Sequence, residues 1–171
     1  PKFSLLEMSA AEWDLIFGVN LRAPFLVARE MAKLMVAEGR KGAIVNISSG
    51  ASRQMRNGSV PYCTSKTALE RLTKGFALEL AGYGIRVNAV EPGFAPGSEV
   101  SALSSDYIER MTGRIPLGRT SGPEDAPQAI AYLCSDRASF ITGAVLSVDG
   151  GNSIGTFEGG ELGQTKGIAR V

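Results

Sequence analysis

The stretch of sequence that decides the fold is residues 43–66, which read AIVNISSGASRQMRNGSVPYCTSK. Its first five residues are largely apolar and β-branched, a composition typical of a parallel strand buried on both faces. The small and polar residues 48–58 predict a loop. A helix is predicted from about Val60 to Ala81, because Pro61 is tolerated in a first turn and Gly82 ends the pattern. Strand, loop and helix in this order indicate a layered α/β fold.

A helix is also predicted before this stretch, from the N-cap Ser9 to about Gly39. Glu12 stands three residues after Ser9, which is the capping-box spacing. Pro24 lies inside the helical pattern and has no N–H to donate to the carbonyl of Asn20, four residues earlier. We therefore expect a kink near Asn20 and a backbone carbonyl there without its helical donor. The apolar residues that recur at helical intervals are Trp13, Ile16, Phe17, Leu21, Ala28, Met31 and Met35.

Two further strands are predicted after the stretch. Residues 85–90 read IRVNAV and precede a Pro-Gly turn, and residues 144–148 read AVLSV and precede Asp-Gly-Gly. Between them, residues 94–119 suit either a mobile substrate lid or a solvated connection, and a third helix follows over 121–135. The sequence thus predicts about three parallel strands with flanking helices. This arrangement is typical of the C-terminal half of a doubly wound α/β sheet. The first of the three strands, near residue 43, is expected to have an open edge.

Composition excludes several classes of function. The chain has 171 residues, 44% of them hydrophobic and 20% charged, with a formal net charge of +1. This balance gives no electrostatic basis for binding nucleic acid or an acidic membrane, and no apolar run approaches the roughly 20 residues of a membrane span. No secretory leader is recognisable, so a cytoplasmic protein is expected. With no His and only Cys63 and Cys134, no metal site is predicted, and both thiols are expected to fill the core.

The residues that point to chemistry are Tyr62, Lys66 and Ser49. Tyr62 and Lys66 are four residues apart near the start of the predicted helix, so their side chains lie on one face. An ammonium close to a phenol stabilises the phenolate, which makes Tyr a usable general acid/base near neutral pH. Ser49 follows the predicted strand directly, at the point where active-site loops leave the carboxyl end of a parallel sheet.

These residues belong to a longer set of motifs that resembles the short-chain dehydrogenase/reductase family, in order and spacing, from about residue 5 to 153. The set consists of Asn20, Asn46-Ile47-Ser48-Ser49, Tyr62-x-x-x-Lys66, Arg86-Val87-Asn88-Ala89-Val90 with Pro92-Gly93, and Val148-Asp149-Gly150-Gly151. The resemblance implies a Rossmann-like fold. It also implies an oxidoreductase that interconverts a secondary alcohol and a ketone by hydride transfer, with NAD or NADP as the cofactor.

The resemblance further implies a role for each site residue. Tyr62 would donate a proton to the substrate carbonyl oxygen during reduction, or remove one from the alcohol during oxidation. Ser49 would hydrogen-bond that oxygen. Lys66 would activate Tyr62, and both would contact the cofactor, Lys66 at the ribose hydroxyls. Asn20 would hold a water that links Lys66 to solvent, and its carbonyl, freed by Pro24, would accept from that water. The nicotinamide ring would be bordered by Pro92, Gly93 and Ala95.

Departures from the family pattern leave two hypotheses open. Gly97 stands where the family usually has a Thr that helps to hold the nicotinamide carboxamide, although Ser98 is adjacent. The Gly-rich phosphate loop and the residue that selects NAD or NADP are absent from the sequence. Residues 1–153 are therefore predicted to be the catalytic C-terminal part of a Rossmann-like domain, and residues 154–171 a Gly-rich tail. The alternative is an inactive remnant that serves as an interaction or oligomerisation module. A longer native polypeptide with a further N-terminal half is also expected, because an uncovered sheet edge favours aggregation.

The expected partners are a small alcohol or ketone and further copies of the chain. The first helix has more large apolar residues than one core contact needs, and isologous pairing of such a face is common. The family also pairs its equivalent helices across a two-fold axis. A homodimer or homotetramer is therefore expected, through Trp13, Phe17, Leu21 and Phe25.

Overall fold

The computed structural model describes residues 4–97 and 103–155, and these ranges form one parallel sheet with helices around it. The helices are α1 (Ala10–Phe17), α2 (Ala23–Ala37), α3 (Val60–Leu80), α4 (Ser105–Thr112) and α5 (Asp125–Cys134), and the strands are β1 (Gly42–Ile47), β2 (Ile85–Pro92) and β3 (Val145–Val148). The strand order is β1-β2-β3, and both pairings are parallel. The predicted three-stranded half of a doubly wound sheet is therefore confirmed.

The register of the sheet brings the three strand ends together at one edge. Gly42 lies opposite Ile85 and Ile47 opposite Val90, so β1 and β2 run side by side over six residues. Farther along β2, Pro92 lies opposite Val148 at the end of β3. Because all strands are parallel, the segments that follow them leave the sheet at the same carboxyl edge.

Apolar residues of β2 are buried on both faces of the sheet. On one face, Val87 and Ile85 pack with Ala32 of α2 and Ala77 of α3. On the other face, Val90 packs with Leu133 of α5 and with Ala138. Full burial of a side chain such as Leu133 contributes about 1.5–3 kcal/mol, so this two-sided core supplies much of the driving force for folding.

The predicted first helix is divided by a wider turn. Its start is confirmed: the backbone N–H of Ser9 donates to Glu12 Oε2 at 2.8 Å, and that of Glu12 donates to Ser9 Oγ at 3.2 Å. Residues Gly18–Arg22 are π-helical, with the N–H of Ala23 donating to the carbonyl of Gly18. The irregularity thus lies around Asn20, as predicted, but it is a π-helical turn, a form that is frequent at functional sites.

Two polar residues of β2 hold the sheet to the segment that leads into β3. The guanidinium of Arg86 donates to the carbonyls of Leu133 at 2.7 Å and Ser135 at 3.1 Å, at the end of α5. Asn88 donates through Nδ2 to the carbonyl of Ile141 at 3.0 Å and accepts from the N–H of Ala144 at 3.0 Å. These motif residues therefore stabilise the fold, because they satisfy backbone groups that helix and strand ends leave unpaired.

Three other expectations meet different outcomes. Cys63 is buried as predicted, whereas the prediction for Cys134 is wrong: it is exposed at the last position of α5, where Leu133 takes the core position.

The short helix α4 lies within residues 94–119, but residues 98–102, including Ser98, and residues 156–171 lie outside the described residues, so neither a lid nor a tail is described. Among the described helices, none has the length and apolar character that crossing a membrane requires.

Candidate active site

The site begins with Tyr62 and Lys66 on the first two turns of α3. Lys66 Nζ lies 5.9 Å from the centroid of the Tyr62 ring. The same ammonium donates a hydrogen bond to the carbonyl of Ile47 at 2.8 Å. Ile47 is the last residue of β1 and stands two positions before Ser49. This one bond therefore ties the Tyr62–Lys66 face of α3 to the strand end from which Ser49 projects.

Burial sets the electrostatics of Lys66. Partial removal from water lowers the pKa of the Lys66 ammonium below its usual value, because desolvation penalises the charged form. The hydrogen bond to Ile47 holds the ammonium beside the Tyr62 ring. Tyr62 itself is 37% exposed.

Ser49 forms the bend between β1 and a short 3₁₀ turn over Gly50–Ser52. Its backbone is extended, and its Oγ accepts the N–H of Ala51 at 3.2 Å, so Ser49 caps this turn. That bond uses a lone pair of the oxygen. The Ser49 O–H consequently remains chemically able to donate to another acceptor at the same edge.

Asn20 is tied to α3 next to the Tyr62–Lys66 pair. Its Nδ2 donates to Ser65 Oγ at 3.1 Å, and the Ser65 hydroxyl donates to the carbonyl of Tyr62 at 2.8 Å. Ser65 is completely buried and directly precedes Lys66. Pro24 has no N–H, so the Asn20 carbonyl receives no hydrogen bond from that position. The structure thus places Asn20 against α3 through a residue, Ser65, that sequence reasoning did not single out.

Gly93 is required by the sheet itself. Its N–H donates to the carbonyl of Val148 at 2.8 Å, and a Cβ at this position would lie 2.8 Å from the Cα of Asp149. Close approach of the β3 backbone therefore explains this glycine without a ligand, and the contacts of Pro92, Gly93 and Ala95 with a nicotinamide ring stay a prediction. Gly97 has φ +111°, where a Thr would be strained.

Polar side chains at the end of β1 are bonded to α3. Asn46 Nδ2 donates to Thr73 Oγ1 at 2.9 Å, and Ser48 Oγ donates to Glu70 Oε1 at 2.6 Å. Asn46 and Ser48 are both buried, and a buried polar group requires a partner. Burial in the predicted strand indicates that such partners exist, but the sequence does not identify them, since Thr73 and Glu70 lie on a different element.

Taken together, these features define a doubly wound α/β protein with a Ser, a Tyr and a Lys gathered at the carboxyl edge of its sheet, the edge at which such folds bind ligands. The family profile described as enoyl-(acyl carrier protein) reductase matches residues 1–153. The chain is 42% identical over 153 residues to cis-4-hydroxycyclohexanecarboxylate dehydrogenase of Sinomonas cyclohexanicum. It is 40% identical over 147 residues to 3-oxoacyl-(acyl-carrier-protein) reductase of Thermotoga maritima. The chain belongs to the short-chain dehydrogenase/reductase family.

The solved structure of 4-hydroxyisoleucine dehydrogenase complexed with NADH is similar as well, with a TM-score of 0.82 and 33% identity. That match covers 91% of this chain and 66% of the solved one. The alignments cover 88% of this chain and 60% of the Sinomonas enzyme, and 86% of this chain and 59% of the Thermotoga enzyme. The chain therefore spans about three fifths of the length of these relatives.

Proposed function

We propose that this chain is the catalytic part of an NAD(P)-dependent oxidoreductase that interconverts a secondary alcohol and a ketone, with Tyr62 as the general acid/base. The observation that carries the proposal is the hydrogen bond from Lys66 Nζ to the Ile47 carbonyl. It fixes the Tyr62–Lys66 face of α3 against the strand end that leads to Ser49. An acid/base, a cation and a hydroxyl donor are thereby assembled at one sheet edge.

The proposed mechanism assigns one task to each side chain. During reduction the Tyr62 hydroxyl gives its proton to the carbonyl oxygen, while the Ser49 O–H donates a hydrogen bond to the same oxygen. The Lys66 ammonium stabilises the phenolate that Tyr62 becomes. Lys66 then gives a proton back to the Tyr62 phenolate, and a water held by the Asn20 carbonyl returns a proton from solvent to Lys66. During oxidation of the alcohol, Tyr62 takes the proton instead.

The cofactor is proposed to bind through its nicotinamide half at this edge, with Lys66 and Tyr62 at the ribose and the segment of Pro92, Gly93 and Ala95 at the ring. When bound, it supplies or accepts the hydride. The donor set fits this half: Lys66 offers an ammonium, and Tyr62, which is 37% exposed, offers a hydroxyl. The sequence contains no Gly-x-Gly-x-x-Gly, so it offers no such cradle for the pyrophosphate. Similar structures hold NADH or NADP, which supports NAD or NADP here.

An alcohol or ketone is the proposed substrate class. Similar proteins are named as dehydrogenases or reductases of hydroxyacyl, oxoacyl and hydroxycyclohexanecarboxylate compounds. Next to the carboxyl edge, Phe94 follows Gly93 and meets Tyr107 of α4 edge to face, with ring centroids 6.1 Å apart. This aromatic pair supports an apolar wall beside the reacting centre.

A homodimer or homotetramer is proposed through the face that α1, the π turn, the start of α2 and α3 form. These elements enclose an open groove of 860 Å³ whose lining includes Phe17, Leu21, Phe25, Ala68 and Leu72. An apolar groove of this kind on paired helices suits isologous contact with a second copy. The small-molecule substrate and copies of the chain itself are thus the proposed partners.

The test uses the complete native polypeptide. It is titrated calorimetrically with NADH and with NADPH, and then assayed with both against a panel of ketones: a 3-oxoacyl thioester, a cyclic oxo-carboxylate and a sugar-derived ketone. We expect saturable binding of at least one cofactor. We also expect turnover of at least one ketone, measured as the loss of reduced-nicotinamide absorbance. Absence of binding of either cofactor would overturn the proposal in favour of an interaction or oligomerisation module.

A further inference from the structure

The carboxylate of Glu91 is buried at the carboxyl edge of the sheet, one residue before Pro92. Only 1% of this residue is exposed. Its oxygens accept hydrogen bonds from Ser52 Oγ at 2.9 Å, from Arg53 Nε at 3.1 Å and from Ser147 Oγ at 2.6 Å, and Arg53 Nη2 also donates to it. A carboxylate with so little solvent is tolerated only with such partners.

Two of the three residues that donate to Glu91 come from the loop that carries Ser49. Ser52 is the last residue of the 3₁₀ turn that Ser49 caps, and Arg53 follows it directly. The N–H of Ser52 donates to the Ser49 carbonyl at 2.9 Å. On the opposite side, Thr67 Oγ1 of α3 donates to the carbonyl of Ser52 at 2.7 Å. The loop of Ser49 is therefore held between β2, through Glu91, and α3, the helix of Tyr62.

The same guanidinium extends to the last strand. Arg53 also donates to Ser147 of β3, and Arg53 Nη1 donates to Ser153 Oγ at 3.4 Å, beyond the end of that strand. One ion pair thus joins the loop after β1, the end of β2 and the end of β3. Arg53 remains 40% exposed, but Glu91 neutralises its charge, so the pair is better suited to holding segments than to binding an anion.

We propose that Arg53 and Glu91 are positioning residues for the reaction: their ion pair fixes the Ser49 loop at a set distance from Tyr62 on one side and from the Pro92–Gly93 turn on the other. This inference rests on the proposed function. Neither residue touches the reacting atoms in this account. A buried ion pair contributes little net stability compared with apolar residues, whereas its directional bonds specify the relative placement of three segments.

The test compares three variants, Glu91→Gln, Arg53→Gln and Arg53→Lys, with the control Leu133→Ala. Leu133 projects from α5 into the core, so its replacement should cause a similar loss of stability. We expect both Gln variants to lower kcat on the order of 10²-fold, because a displacement of about 1 Å in a reacting group has that effect. Arg53→Lys should recover part of the loss, since it keeps a cationic donor. The dissociation constant of the reduced cofactor should change by less than about threefold.

A second readout is independent of turnover. Amide hydrogen exchange should accelerate in residues 48–53 and 91–95 of Glu91→Gln, and should not accelerate selectively there in Leu133→Ala. Wild-type kcat in Glu91→Gln, or an equal loss of kcat in Leu133→Ala, would overturn the positioning role while leaving the oxidoreductase intact. If the unaltered protein turns over no ketone, the proposed function fails. In that case, hydrogen exchange that is unchanged in residues 48–53 and 91–95 of Glu91→Gln would overturn the positioning role as well.

Discussion

Replacing Glu91 by Gln should destabilise the protein most where the carboxylate is ionised. The substitution keeps the shape of the side chain and one acceptor oxygen. It exchanges the other oxygen for an NH₂ group that faces donors from Arg53 and Ser147. The Ser147 hydroxyl can rotate and accept from the new amide, but the guanidinium of Arg53 has no acceptor. At least one charge-assisted hydrogen bond is therefore lost inside a buried site.

The size of the effect follows from the burial of the two partners. A hydrogen bond to a charged group contributes about 1.5–3 kcal/mol, and breaking a buried ion pair costs about 3–5 kcal/mol. Arg53 is 40% exposed, so solvent compensates part of that cost. We expect a loss of about 2–3 kcal/mol near neutral pH. For a chain of this size this corresponds to a fall in Tm of roughly 4–12 °C.

The pH dependence has a definite sign. Burial raises the pKa of Glu91, but hydrogen bonds from Ser147, Ser52 and Arg53 lower it more, so that the pKa lies below its usual 4.5. A carboxyl group whose pKa is lower in the folded state contributes stability that is present above the unfolded-state value and is lost as the pH falls through the folded-state value. The difference between wild type and Glu91→Gln should therefore shrink in acid.

The assay is urea unfolding of both proteins at about pH 7 and about pH 3, with Glu38→Gln as the control. Glu38 pairs with Arg40 at 2.9 Å on the surface, and its side chain is 43% exposed, so this change should cost less than about 1 kcal/mol at either pH. An equal loss for Glu91→Gln at both pH values would refute the reasoning. A loss no larger than that of the control would do the same.

Two further outcomes are expected. Pro24→Ala gives residue 24 an N–H that can donate to the Asn20 carbonyl. The free energy of unfolding, measured in a thermal melt, should therefore rise by about 0.5–1.5 kcal/mol while kcat falls. An undiminished kcat would show that Pro24 has no catalytic effect through the Asn20 carbonyl. Light scattering at micromolar concentration should show a dimer or tetramer. Phe17→Glu in the groove should reduce the oligomer, and Leu78→Glu, at an 82% exposed position, should not. A monomeric wild type would contradict this.

Local patterns in the sequence were sufficient to predict the strands and the placement of the main site residues. The apolar run of residues 43–47 correctly predicts a parallel strand, but the expected burial on both faces is wrong for it: Ile44 and Val45 are only partly buried against the two cores, and Ile47 is 44% exposed. The strand buried on both faces is β2, because it lies between β1 and β3. Tyr62 and Lys66 share a helix face because they are four residues apart, and this holds whatever surrounds the helix. Such inferences depend only on the periodicity of one element.

Features that depend on partners distant in sequence were not predictable. Glu91 needs a cation because it is buried, but nothing in the sequence indicates Arg53, which lies 38 positions away. Cys134 has the apolar neighbours of a core residue, yet its place at the very end of α5 leaves it exposed. The π turn likewise adds a residue to the helical register. The missing N–H of Pro24 predicts an irregularity but does not specify this insertion.

Replacement of Tyr62 by Phe is the sharpest test of general acid/base catalysis by this tyrosine, because it removes only the proposed proton donor. Tyr132→Phe is the matched control, since both tyrosines are 37% exposed and Tyr132 lies on α5, on the other face of the sheet. In the native polypeptide, Tyr62→Phe should lower kcat by about 10²–10⁴-fold with cofactor binding and Tm preserved, and Tyr132→Phe should keep wild-type kcat. Wild-type kcat in Tyr62→Phe would contradict the account.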